Sequence, residues 1–127
     1  MVFQACKVVV IELNSLFNEN HEVSLNTKYL EKVKKLKSEN KVLCLLSQGI
    51  CSNRDIKITI VKNTGLFDTA IETTEYGELA IMELQNIFNE LMIRYKVKQE
   101  EIVLITSHKL DKYLSLNIFT VNWDDIL

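Results

Sequence analysis

From Val8 to Leu13 every residue is apolar except Glu12. A run of that kind suits a strand covered on both faces, which requires a sheet lying between two helical layers. The rest of the chain alternates in the same sense. Tyr29 to Ser38 spaces Leu30, Val33 and Leu36 for one buried helical face. Its far side carries Lys32, Lys34, Lys35 and Lys37, with Glu31 and Glu39 interleaved, and reads as a solvated face. Lys41 to Leu46 is a second strand, Thr69 to Glu72 a short third, Ile102 to Thr106 a fourth and Ile118 to Val121 a fifth. Between them, Asn53 to Asn63 reads as a short helix, although Ile56, Ile58, Ile60 and Val61 also fit a strand. Tyr76 to Tyr95 is a long helix, with Ala80, Ile81, Leu84, Ile87, Phe88, Leu91, Met92 and Tyr95 on one face, and His108 to Leu114 is a short one. This alternation predicts βαβ units with right-handed crossovers. The expected architecture is a three-layer α/β/α, doubly wound parallel sheet of about five strands, one domain over residues 1–127.

Composition narrows the function. The 127 residues can bury a real core, and a net charge of −2 gives no drive towards nucleic acid or an anionic membrane. No apolar run approaches the roughly 20 residues that span a bilayer, and Met1 to Lys7 lacks the marks of a signal peptide. A cytoplasmic protein is expected. Cys6, Cys44 and Cys51 form no CxxC pair and read as reduced thiols, with Cys44 in a buried strand and Cys51 in an exposed loop without a histidine partner. There is no proline, and the three glycines, Gly49, Gly65 and Gly77, cannot make either common glycine-rich phosphate loop. His21 and His108 have no metal-site spacing and read as surface histidines.

In a parallel sheet of this type ligands sit beyond the carboxyl ends of the strands. Those ends hold Glu12 to Leu16, Ser47 to Gly49, Glu72 to Glu75 and Thr106 to Asp111. Together they resemble the motifs of the haloacid dehalogenase (HAD) superfamily, in order and spacing, over nearly the whole chain. In that family the first strand ends in Asp-x-Asp-Gly-Thr-Leu, the first acid a phosphoryl-accepting nucleophile and the second a general acid/base. Here the stretch is Glu12-Leu13-Asn14-Ser15-Leu16-Phe17. The family's second strand ends in a Ser or Thr that holds the phosphoryl group, and Ser47 stands in that place. Gly65-Leu66-Phe67-Asp68, running on to Glu72 and Glu75, is similar to the segment before the family's catalytic lysine, yet Tyr76-Gly77-Glu78-Leu79 offers no lysine. The family's Gly-Asp is replaced by Thr106-Ser107, while Asp111 matches its later acid. The resemblance implies a capless member, with a short flap over residues 18–25. Capless relatives such as the deoxy-octulosonate phosphate phosphatases often oligomerise and act on exposed or macromolecular phosphates.

The departures imply lost chemistry. The extra methylene of Glu12 displaces its oxygens by about 1 Å, a shift that can cost on the order of a hundredfold. Asn14 cannot exchange a proton, the missing lysine leaves phosphoryl charge without a cation, and Mg²⁺ would keep only Glu12 and Asp111 as acids. The leading expectation is therefore a catalytically inactive HAD-like domain without a cofactor, binding or scaffolding a protein partner or itself. Its degenerate positions are Glu12, Asn14, Ser47, Ser107 and Asp111. Ser47, Gln48 and Gly49 are the expected remnant of an anion pocket, and Ser107 the cap of the helix starting at His108. The alternative is a divergent Mg²⁺-dependent phosphohydrolase, with metal at Glu12 and Asp111 and Ser47 holding the phosphoryl group. Glu72 and Glu75 read as solvated, not as an extension of the carboxylate site. Leu79, Met82 and Ile93 lie off the long helix's core face, either against the sheet edge or at an interface. A receiver domain fits less well, because Asp68 ends no strand and no lysine closes the last one. A PIN-type nuclease shares the acid-x-Asn pattern but needs further carboxylates and a basic face that this chain lacks.

Overall fold

The computed structural model describes residues 5–18, 23–49, 53–74, 77–107 and 110–126. Five strands, β1 (Val8–Glu12), β2 (Val42–Ser47), β3 (Thr69–Glu72), β4 (Ile102–Ile105) and β5 (Phe119–Val121), form one sheet in the order β3-β2-β1-β4-β5. Every pairing is parallel. The helices are α1 (Thr27–Ser38), α2 (Arg54–Lys62) and α3 (Gly77–Tyr95), with 3-10 turns at Leu13–Leu16 and Leu110–Leu116 among others.

All five β1 residues are buried, as its apolar run predicts. Val9 and Ile11 join Val33, Leu36, Ile58 and Val61 beneath α1 and α2, while Val8 and Val10 join Leu84, Phe88, Leu91 and Tyr113 beneath α3 and the Leu110–Leu116 turn. The strand order reverses at β1, which pairs with β2 on one side and β4 on the other, so a crevice is expected beyond its carboxyl end.

The α1 helix starts two residues before the expected Tyr29, because the Asn26 side chain accepts from the Tyr29 N–H at 3.1 Å and caps it. The ambiguous isoleucine run is helical: Ile58 and Val61, three apart, face the core, while Ile56 points outward. The expected helix at His108 is instead a 3-10 turn beginning at Leu110. On α3, Leu79, Met82 and Ile93 are exposed and do not pack against the sheet edge. The arms of the expected flap meet, since Phe17 pairs with Leu25 and the Asn18 N–H donates to Ser24 O at 2.9 Å; residues 19–22 lie outside the described ones. Among the described residues no helix is long and apolar enough to cross a membrane.

Candidate functional site

Strand alternation puts Glu12 on the α3 side with Val8 and Val10, where it is only 2% exposed. A carboxylate in an apolar layer must be hydrogen-bonded to be tolerated. Its donors come from three distant segments. Gln48 Nε2 donates to Glu12 Oε2 at 2.9 Å from the loop after β2. Thr106 Oγ1 donates at 3.2 Å from the end of β4. The Tyr113 hydroxyl stands 3.4 Å from the same oxygen and also accepts from Gln48 Nε2 at 3.1 Å. Burial, followed by the neighbouring Glu12 charge, pushes the Tyr113 phenol up, which keeps it a donor. The backbone here is fixed as well: Ser15 Oγ donates to Glu12 O at 2.6 Å and accepts from Trp123 Nε1 at 3.0 Å. Glu12 is therefore more than the strand-end cap its position suggests, because side chains from three loops converge on it.

Asn14, in the turn that follows, has a partner the sequence did not reveal. Lys57 Nζ, from the first turn of α2, donates to Asn14 Oδ1 at 3.0 Å and lies 5.3 Å from the centre of the Phe17 ring. A cation thus stands at the end of β1.

The expected trio Ser47, Gln48 and Gly49 does not present one anion-binding surface. Glu12 pairs in register with Leu46, so Ser47, the next residue, turns to the opposite face of the sheet. There its hydroxyl is buried, makes no hydrogen bond, and lines a cavity of about 190 Å³ with Leu45, Ile58, Lys62, Ala70 and Glu72. Gln48 is committed to Glu12. The Gly49 N–H is spent on Thr73, donating to its O at 3.0 Å and its Oγ1 at 3.3 Å. Arg54 Nη2 ties the same ends together, 3.3 Å from both Ser47 O and Thr73 O.

The remaining candidates separate. Ser107 is exposed, and the start of its expected helix, at His108, lies outside the described residues. It is Thr106, one residue earlier, that reaches Glu12. Asp111 lies on the Leu110–Leu116 turn that supplies Tyr113, but its side chain is outside the described residues, as are His21, Cys51, Glu75 and His108. Glu72 is exposed, 3.9 Å from Arg54 Nε and on the face away from Glu12. Cys6 and Cys44 are buried, which pushes their thiols up to about 11 and about 12; neither has the depressed pKa of a nucleophile.

Solved structures share this architecture. The cobalt-bound deoxy-D-mannose-octulosonate 8-phosphate phosphatase of Haemophilus influenzae matches 96% of this chain and 71% of its own, with a TM-score of 0.63 and 14% identity. The Moraxella catarrhalis 3-deoxy-D-manno-octulosonate 8-phosphate phosphatase, in complex with magnesium, phosphate and its sugar acid, matches 83% and 61%, with a TM-score of 0.55 and 10% identity. The Vibrio cholerae protein described as a phosphatase of that kind matches 92% and 64%, with a TM-score of 0.59 and 9% identity. The fold is HAD-like. Identities this low speak for the fold alone. No family model matches the chain, and no curated protein does.

Two of these HAD-like structures hold a divalent metal, cobalt in one and magnesium in the other. Mg²⁺ takes near-octahedral hard oxygen ligands. Among the described residues no three acids, histidines or cysteines gather in one place. At the end of β1, Glu12 Oε2 already accepts from Gln48, Thr106 and Tyr113, and Asn14 Oδ1 faces an ammonium that would repel a second cation. The described residues do not fit the metal.

Proposed function

We propose that the chain is a phosphatase-like domain that receives a phosphate monoester beyond the carboxyl end of β1 and binds it without hydrolysing it. The observation carrying this reading is the convergence on Glu12 of Gln48, Thr106 and Tyr113, from the ends of β2 and β4 and from the turn after β4. The carboxylate at the end of β1 is engaged by these donors. A carboxylate oxygen that accepts several hydrogen bonds is a weakened nucleophile, and Asn14 offers no proton to a leaving group.

The hydrolytic alternative uses Glu12 as nucleophile or ligand, Ser47 on the phosphoryl group and Asp111 at Mg²⁺. The phosphatases among the similar structures favour it. Scaffolding of a protein partner or of a second copy has less support, resting on the replaced motifs and on exposed Leu79, Met82 and Ile93. A cytoplasmic setting belongs to the same proposal.

Phosphate release from a broad monoester panel, with and without Mg²⁺, tests the reading in wild type and Glu12→Gln. We expect no turnover in either protein, with wild type still binding inorganic phosphate. Turnover requiring both the metal and Glu12 would establish the hydrolytic alternative instead.

A further inference from the structure

We infer that Lys57 provides the positive charge of this site, so that a phosphate-type oxyanion binds at the end of β1 without a divalent metal. The inference rests on the phosphate-ester reading and gives it a residue and a metal requirement.

The α2 helix begins at Arg54 and delivers the Lys57 ammonium to the turn that follows β1. The side chain is half-buried, and its partner there is a neutral amide, Asn14 Oδ1 at 3.0 Å. Among the described residues no carboxylate pairs with it. An ammonium carries three donors, and the Asn14 bond uses one. The other two are available to an anion. Phe17 fixes its direction, with Nζ 5.3 Å from the ring centre, a cation–π distance. An amide at position 14 also suits a lysine better than a metal, since an aspartate there would form an ion pair and neutralise it. Asn14 and Lys57 thus suit each other: the neutral amide holds the ammonium without neutralising it.

The test is titration of the full chain with inorganic phosphate, by calorimetry and by ³¹P line broadening, in EDTA and again in millimolar Mg²⁺. The expected result is one affinity in both buffers, about tenfold weaker in Lys57→Gln and in Asn14→Asp, and retained in Lys57→Arg. Unfolding curves show that each variant is folded before it is titrated. Binding seen only with Mg²⁺ would overturn the role of Lys57 while leaving the phosphate-ester reading in place. Metal-independent binding that is unchanged in Lys57→Gln would likewise remove the lysine and keep the reading. Absence of phosphate binding under both conditions would remove both.

Discussion

The Trp123 indole donates a hydrogen bond to Ser15 Oγ at 3.0 Å across 108 residues of chain, and Ser15 passes it on to the carbonyl of Glu12. The segment after β5 therefore braces the turn at the candidate site. Trp123 is held in turn by stacking on Tyr29, with ring centres 5.6 Å apart, and by Lys32, whose ammonium donates to Trp123 O at 2.8 Å. Ser15→Ala leaves a buried indole N–H without its partner and is expected to cost roughly 1–3 kcal/mol. Trp123 is the chain's only tryptophan and is buried, so its emission reports unfolding in urea directly. A midpoint unchanged by Ser15→Ala would mean that the bond adds nothing to stability.

Glu12 has a structural load that can be separated from any chemistry. Glu12→Ala strands Gln48, Thr106 and Tyr113 around an empty space, and a loss of roughly 2–4 kcal/mol is expected. Glu12→Gln keeps the shape and can leave an amide oxygen where Oε2 accepts from all three donors, losing only the charge, so a smaller loss is expected. Urea unfolding of the two variants beside wild type measures the order. Equal stability of all three would show that the ring of donors is dispensable.

The fold was legible because burial on both faces leaves few options for the Val8–Glu12 run, and α3 declares itself by spacing. The ambiguity at Ile56–Val61 was resolved only by tertiary packing: Ile58 and Val61 have a core to face and Ile56 does not. The site was legible at Glu12, whose position at a strand end needs only local reading. Its partners lie 36, 94 and 101 residues away. Which side chain reaches across depends on sheet register, which no local pattern carries. Ser47 and Gln48 make the point. Both stand at the end of β2, but one step in the pleat sends Ser47 to the α2 face and leaves Gln48 to reach Glu12. Lys57 was hidden for the same reason, as an ordinary lysine in a helix until the helix is docked.

Asp68 ties the start of β3 to its neighbours. Its Oδ2 accepts from the Leu43 N–H at 2.9 Å, and its Oδ1 pairs with Lys37 at 2.9 Å. Partial burial pushes the carboxyl up, but the Leu43 N–H and the Lys37 ammonium outweigh it and hold the pKa below the usual value. A depressed folded pKa favours the folded state above the unfolded value of about 4, and the gain disappears as pH falls through the folded one. Asp68→Asn is therefore expected to be less stable by roughly 1 kcal/mol at neutral pH, a modest figure because the pair is partly exposed. The gap should close below about pH 4. Unfolding midpoints of both proteins across that range decide it, and a gap independent of pH would assign the effect to shape instead of charge.

Thiol reactivity follows from burial. Cys6 is pushed up to about 11 and Cys44 to about 12, so at neutral pH both are protonated in the folded protein. Alkylation proceeds through the thiolate, and both side chains are also out of reach of solvent. Folded protein is expected to leave these two cysteines unmodified by iodoacetamide at pH 8, and labelling should begin only when urea unfolds it. Raising the pH towards 10 should do little while the fold holds, because access and not ionisation alone limits the reaction. Peptide mapping after timed labelling gives the answer for each cysteine. Fast labelling of Cys44 in the folded state would mean that β2 opens locally, contrary to its place inside the sheet between β1 and β3.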